Sequence, residues 1–124
     1  MSITWLKNTT EYGIANLNLN SLTLNTNASA HFGDAYRFLI GIDDGKNIII
    51  KGLNRNEYEL GKYDKDTIFE FQKAKTYTRI SSKTLMSNIS DYCNIKLDKE
   101  NKKFKTFYDY NENNLVILLN EKEN

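Results

Sequence analysis

From Ile14 to Leu24 apolar and polar residues alternate: Leu17 and Leu19 with Asn16, Asn18 and Asn20, then Leu22 and Leu24 with Thr23 and Asn25. A period of two is the mark of half-buried strands, so two strands are predicted here with a turn at Asn20-Ser21 and the asparagines facing water. In the following ASAHF, Ala28 and Phe32 lie four residues apart on one helical face. Thr26 or Asn27 is the expected cap and Gly33 the expected left-handed stop. Such a short helix holds only with tertiary packing. In YRFLIGIDDGKNIIIKGL, Tyr36, Phe38, Ile40 and Ile42 share a face, Asp44-Gly45 signals a hairpin, and Ile48 to Ile50 return as a second strand. This pair is expected at the centre of the sheet.

Residues 54–66 mix charges without a sustained period and read as a connector. The same order then recurs. Ile68 to Phe71 form a strand, Lys73-Ala74-Lys75 turn, and Thr76 to Ser81 form the next strand. Ser82 caps a helix running to about Asn94, in which Leu85, Ile89, Tyr92 and Cys93 make an amphipathic stripe. KKFKTFYDY places Phe104, Thr106, Tyr108 and Tyr110 on one strand face; Asn111 to Asn114 turn, LVILL closes the sheet, and the tail EKEN is expected to fray. Ahead of Gly13, Ile3, Trp5 and Leu6 suggest a short edge strand or a packing arm. Aligning the halves pairs Leu24 with Ile80, Thr26 with Ser82 and Ile48 with Leu115. The expectation is one domain over residues 1–124, α+β and mostly β: β-β-α-β-β repeats at 14–53 and 67–120 share one core about a pseudo-twofold axis, joined by the connector 54–66.

This order, with its Gly-stopped helix and Asp-Gly hairpin, resembles the AbrB/SpoVT swapped-hairpin superfamily, in which two copies interlock into one barrel. Two copies in one chain are similar to the MraZ arrangement. The second half, TYTRISSKTLMSNISDYC followed by KFKTFYDYNENNLVILL, also looks like small proteins of low-GC bacteria and their mobile elements. The AbrB resemblance implies a non-enzymatic, DNA-binding transcription regulator. Where the family places arginines around the first hairpin and the helix start, this chain has Asn16, Asn18, Asn20, Ser21 and Ala28.

Composition narrows the reading further. Apolar residues make up 40% of the chain, which is enough for a core. The formal net charge is +1. Residues 1–61 carry 5 basic and 6 acidic side chains, and residues 62–124 carry 12 and 10. Nucleic-acid-binding domains commonly have a pI above about 9, whereas this chain has a pI of about 7.7, so any DNA affinity must come from a local patch. Cys93 is the single cysteine, which rules out an intramolecular disulfide. With no apolar leader and no apolar run of about 18 residues, a cytoplasmic protein without a membrane segment is expected.

The leading nucleic-acid candidate is the second repeat's first hairpin, where Lys73, Lys75, Arg79 and Lys83 flank Tyr77: the cations for phosphates, Arg79 for a base edge. Lys102, Lys103 and Lys105 beside Phe104, Phe107 and Tyr108 offer charge and stacking surface, although alternating aromatics read first as core. Asp43-Asp44-Gly45 is turn chemistry. His31, the single histidine, is expected to pack or meet its helix C-terminus, and Cys93 to act as a small buried hydrophobe. No catalytic residues, metal site or cofactor are expected. The alternative to a DNA regulator is a phage or mobile-element interaction or inhibitor module that masks a host protein or sequesters a ligand, for which exposed tyrosines such as Tyr58, Tyr63, Tyr108 and Tyr110 are suited; a homodimer is a further option.

Overall fold

The computed structural model of the chain describes residues 2–6 and 12–123, with side chains through Asn120. Strands β1 (Ile14–Leu17), β2 (Ser21–Leu24), β3 (Arg37–Ile42), β4 (Ile48–Leu53), β5 (Ile68–Phe69), β6 (Gln72–Lys73), β7 (Thr78–Ser81), β8 (Lys102–Asp109) and β9 (Asn114–Glu123) build one antiparallel sheet. Their order is β5-β3-β4-β9-β8-β1-β2-β7-β6. Helices α1 (Thr26–Ser29), α2 (Arg55–Glu59) and α3 (Lys83–Cys93) complete a mostly-β α+β fold. Strands β5 and β6 stand at opposite ends of the sheet, yet only Glu70 and Phe71 separate them. Phe69 and Gln72 therefore lie within about 11 Å of each other at 3.8 Å per Cα step, and the sheet curls into a half-barrel whose ends are drawn together.

Directly opposed residues of neighbouring strands share a face, and the inward rows are almost wholly apolar. Ile40, Ile50, Leu115 and Tyr108 form one such row, and Ile42, Ile48, Ile117 and Thr106 the next. Across the other half run Phe104, Ala15, Leu24 and Thr78, followed by Leu17, Leu22 and Ile80. Helix α3 lays Leu85, Met86 and Ile89 on this surface, and Phe38 is held between Phe32 (4.7 Å, edge-to-face) and Phe71 (4.3 Å, stacked). Burial of each large side chain contributes about 1.5–3 kcal/mol. The buried Ser29 and Thr78 hydroxyls bond each other, so this polar pair is satisfied inside the core.

Several local expectations change. The cap of α1 is Asn25, one residue earlier than Thr26. Its Oδ1 accepts from the backbone N–H of both Ala28 (3.1 Å) and Ile14 (3.0 Å), so one amide caps the helix and ties it to β1. Gly33 is right-handed at φ −56° and no left-handed stop exists, because the chain leaves α1 through a 3-10 turn over Ala30–Phe32. Gly13 is needed for space: a Cβ there would meet Thr106 Oγ1 at 2.5 Å and Ala28 Cβ at 2.7 Å. In the β3-β4 hairpin the left-handed residue is Lys46 (φ 65°), and Asp43 Oδ1 accepts from Asn47 N–H, so the turn is longer than an Asp-Gly turn.

The connector is not structureless. Asn54 and Glu57 form a reciprocal capping box that starts α2. The predicted strand at 68–71 is shorter and broken, since its first residues pair with β3 and the next pair with β7. Residues 121–123 continue β9 as paired backbone instead of fraying. Helix α3 begins at the expected Ser82 cap and ends at left-handed Asn94, but Met86 takes the core position expected for Tyr92, which is exposed, and Cys93 is only half-buried. Residues 2–6 form neither strand nor packed arm: Ile3, Trp5 and Leu6 are exposed.

Candidate nucleic-acid interface

The outward face of the half-barrel follows from the same registers. Lys103 opposes Asn16, Asn16 opposes Thr23, Thr23 opposes Arg79, and Arg79 opposes Gln72. Five strands thus align a row of polar side chains, roughly 19 Å wide at the usual strand spacing of about 4.8 Å. Arg79 sits near its middle: Nε donates to Thr23 Oγ1 (3.3 Å), and its guanidinium lies 4.8 Å from the Tyr77 ring centroid. This arrangement holds the charge outward on an aromatic shelf. Lys105, two residues from Lys103 and on the same strand face, places its ammonium 4.9 Å from the Tyr12 ring centroid.

Beside the row lies a shallow polar depression of about 390 Å³ that includes Asn18, Ser21, Ser81 and Asn101. It is built by the β1-β2 turn. Asn18 Oδ1 accepts from the N–H of Asn20 (2.8 Å) and Ser21 (2.9 Å), while its Nδ2 donates to Asn101 Oδ1 (2.8 Å). Asn16 Oδ1 is sequestered with no hydrogen-bond partner among the described residues. Around this row the charged side chains on outward strand positions are the cations Arg79, Lys103 and Lys105, and Asp109 joins the same face at the far end of β8.

The structure distributes the five sequence-predicted residues over different surfaces. Tyr77 and Arg79 share the outer face. Lys75 is exposed in the turn closed by Ala74 N–H to Tyr77 O (2.9 Å). Lys73 opposes buried Thr78, so it belongs to the inward face, where Nζ donates to Phe32 O (3.3 Å). Lys83 begins α3 beyond the far end of β7 and borders Leu19, Met86 and Asp91. Sequence reading missed Asn16, Thr23 and Gln72, and treated Lys103 as part of a separate cluster. In that cluster Phe104 is core, and Lys102 Nζ is bonded to Lys96 O.

His31 stacks on Tyr108 with ring centroids 4.3 Å apart and planes 8° from parallel, and burial lowers its pKa. Burial likewise pushes the Cys93 thiol up. Among the described residues, no three His, Cys, Asp or Glu side chains converge as a metal site, and no helix is long and apolar enough to cross a membrane.

Fold and site together define a curled, mostly-β half-barrel that presents one polar, cation-bearing sheet face. Comparison with known proteins gives no matching family model, no matching curated protein and no matching solved structure.

Proposed function

We propose that the protein is a non-enzymatic DNA-binding regulator of AbrB-like type, two β-β-α-β-β units about a pseudo-twofold axis, which meets DNA with its outer polar row. The registers support the internal symmetry. The β1-β2 pair Asn16–Thr23 and the β6-β7 pair Gln72–Arg79 differ by 56 positions in both members (16 to 72, 23 to 79). Aligning Leu24 with Ile80 and Ile48 with Leu115 makes Thr23 equivalent to Arg79 and Ile49 to Val116, and each of these two pairs is directly opposed in the sheet. Both oppositions are what a pseudo-twofold axis passing between the paired residues requires. Likewise β1 pairs with β2 and β8, and segment 68–73 pairs with their counterparts β7 and β3.

The observation that carries the DNA reading is the row itself: Lys103 and Arg79 stand three strands apart with amides and hydroxyls between and beside them, the donor types that dominate contacts to phosphate and sugar oxygens. Binding through such contacts is weakly sequence-selective and strongly salt-dependent. Fluorescence anisotropy with a random duplex should give a plot of log K against log salt with slope about −2.7 for three phosphate contacts. Arg79→Ala should flatten that slope by about 1, and Lys83→Ala should leave it unchanged. Absence of binding at low salt removes the reading.

One observation favours a second reading, an interaction module that masks a host factor. The outward row Phe107–Val116–Ile49 is apolar and ends in Phe107, which is 48% exposed. Phe107→Asp should abolish capture of such a factor while sparing DNA binding.

A further inference from the structure

Residues 2–6 read Ser-Ile-Thr-Trp-Leu and lie off the sheet, with Ile3, Trp5 and Leu6 exposed by 66, 81 and 93%. Large apolar side chains grouped in this way on a surface mark an interaction site, and tryptophan is the residue type most often found to anchor one. A groove of about 650 Å³ runs between the β3-β4 hairpin and α3. Its floor is apolar, formed by Ile40, Ile42, Phe69 and Ile89, and Tyr92, 65% exposed, stands at its lip. The charged residues lining it are Asp43, Asp44 and Asp66 against Lys46, so the rim is acidic. The arm runs directly into Lys7 and carries no acidic residue of its own before Glu11.

We propose that the arm of one copy docks in the groove of a second, and that reciprocal exchange of arms makes a homodimer. Three features select this occupant. In an extended segment Ile3 and Trp5 fall on one side, with Thr4 between them on the other, so the arm offers an apolar edge of the kind the groove floor lacks a partner for. In the sequence, basic Lys7 follows the arm directly, whereas the rim is acidic. The arm also lies outside its own molecule's groove, where both are described together. A twofold pairing in which each copy gives one arm and receives one is closed, which caps assembly at two. Two five-residue arms bury less than the roughly 1,200–2,000 Å² of a standard interface, so the dimer is weak and concentration-dependent.

This inference stands apart from the DNA reading, and either can fail without the other. Trp5 is the single tryptophan, so emission excited at the red edge, where tyrosine does not absorb, reports the arm alone. Over the micromolar to millimolar range, sedimentation equilibrium should show the mass doubling while Trp5 emission moves to shorter wavelength over the same concentrations. Trp5→Ala should stay monomeric, and so should Asp66→Lys combined with Tyr92→Ala, which keeps the arm but spoils the rim; all three positions are exposed and their variants should fold. Mixing the two variants should restore a complex with a single docked arm. A monomer at every concentration, a dimer whose Trp5 emission stays solvent-like, or a monomer with shifted emission would each overturn the proposal, the last by placing the arm in its own groove.

Discussion

Two outward rows of the same sheet invite comparison. Across β8, β1, β2, β7 and β6 the row is Lys103, Asn16, Thr23, Arg79, Gln72; across β8, β9, β4 and β3 it is Phe107, Val116, Ile49, Gly41. Behind both, the inward rows are almost wholly apolar and mostly buried. The polar row keeps the strict alternation of a half-buried strand, while β4 and β9 lose it, with Val116 only 7% exposed although it lies apart from the main core cluster. The inner face is dictated by the need to bury surface, and the two halves meet that need alike. The outer face is where they diverge, so differences in function belong there.

That contrast can be broken at graded cost. The largest effect should come from the inside: Phe38→Ala, at a fully buried ring, should cost about 3–5 kcal/mol, read as a drop in the denaturant midpoint. Asn25→Ala removes an acceptor for two backbone N–H groups and should cost about 1–2 kcal/mol in the same assay. Arg79→Ala, on the outer row, should change stability by no more than about 0.5 kcal/mol while weakening duplex binding. If it unfolds the protein, the division between a structural inner and a functional outer face fails. Iodoacetamide should modify Cys93 slowly at neutral pH and much faster once the chain is unfolded, because burial holds the thiol in its protonated form.

The smallest effect concerns His31. Its folded pKa lies below the ordinary 6.5, so below that pH the unfolded chain takes up the proton first. Its contribution to stability is therefore complete above about pH 6.5 and diminishes as pH falls toward the folded value. Comparing the pH dependence of stability with that of His31→Gln should remove this component alone.

Much of the framework was legible in the sequence because its signals are local. Alternating Leu-Asn gave β1 and β2, the Ile runs gave β3 and β4, and Ser82 with the stripe from Leu85 gave α3. Asn54 and Glu57 also spelled a capping box, overlooked because α2 carries no apolar stripe. The candidate site was harder to read, since it depends on register. A hairpin that sets Gln72 against Arg79 also sets Lys73 against Thr78, so two cations grouped by proximity in sequence turn to opposite faces. Lys103 joins the row only because β8 lies beside β1, a pairing between distant segments that no local pattern announces.

Strands β9 and β8 lie side by side inside the sheet, yet both follow the other seven strands along the chain. Without them, β5-β3-β4 and β1-β2-β7-β6 share no ladder, and the Glu70-Phe71 link, α3 and the Phe38–Phe71 stack connect them. A chain cut before Lys102 would thus keep two leaves of sheet without the paired strands that make them one. Pairings between segments so distant along the chain favour slow folding with few stable halfway states.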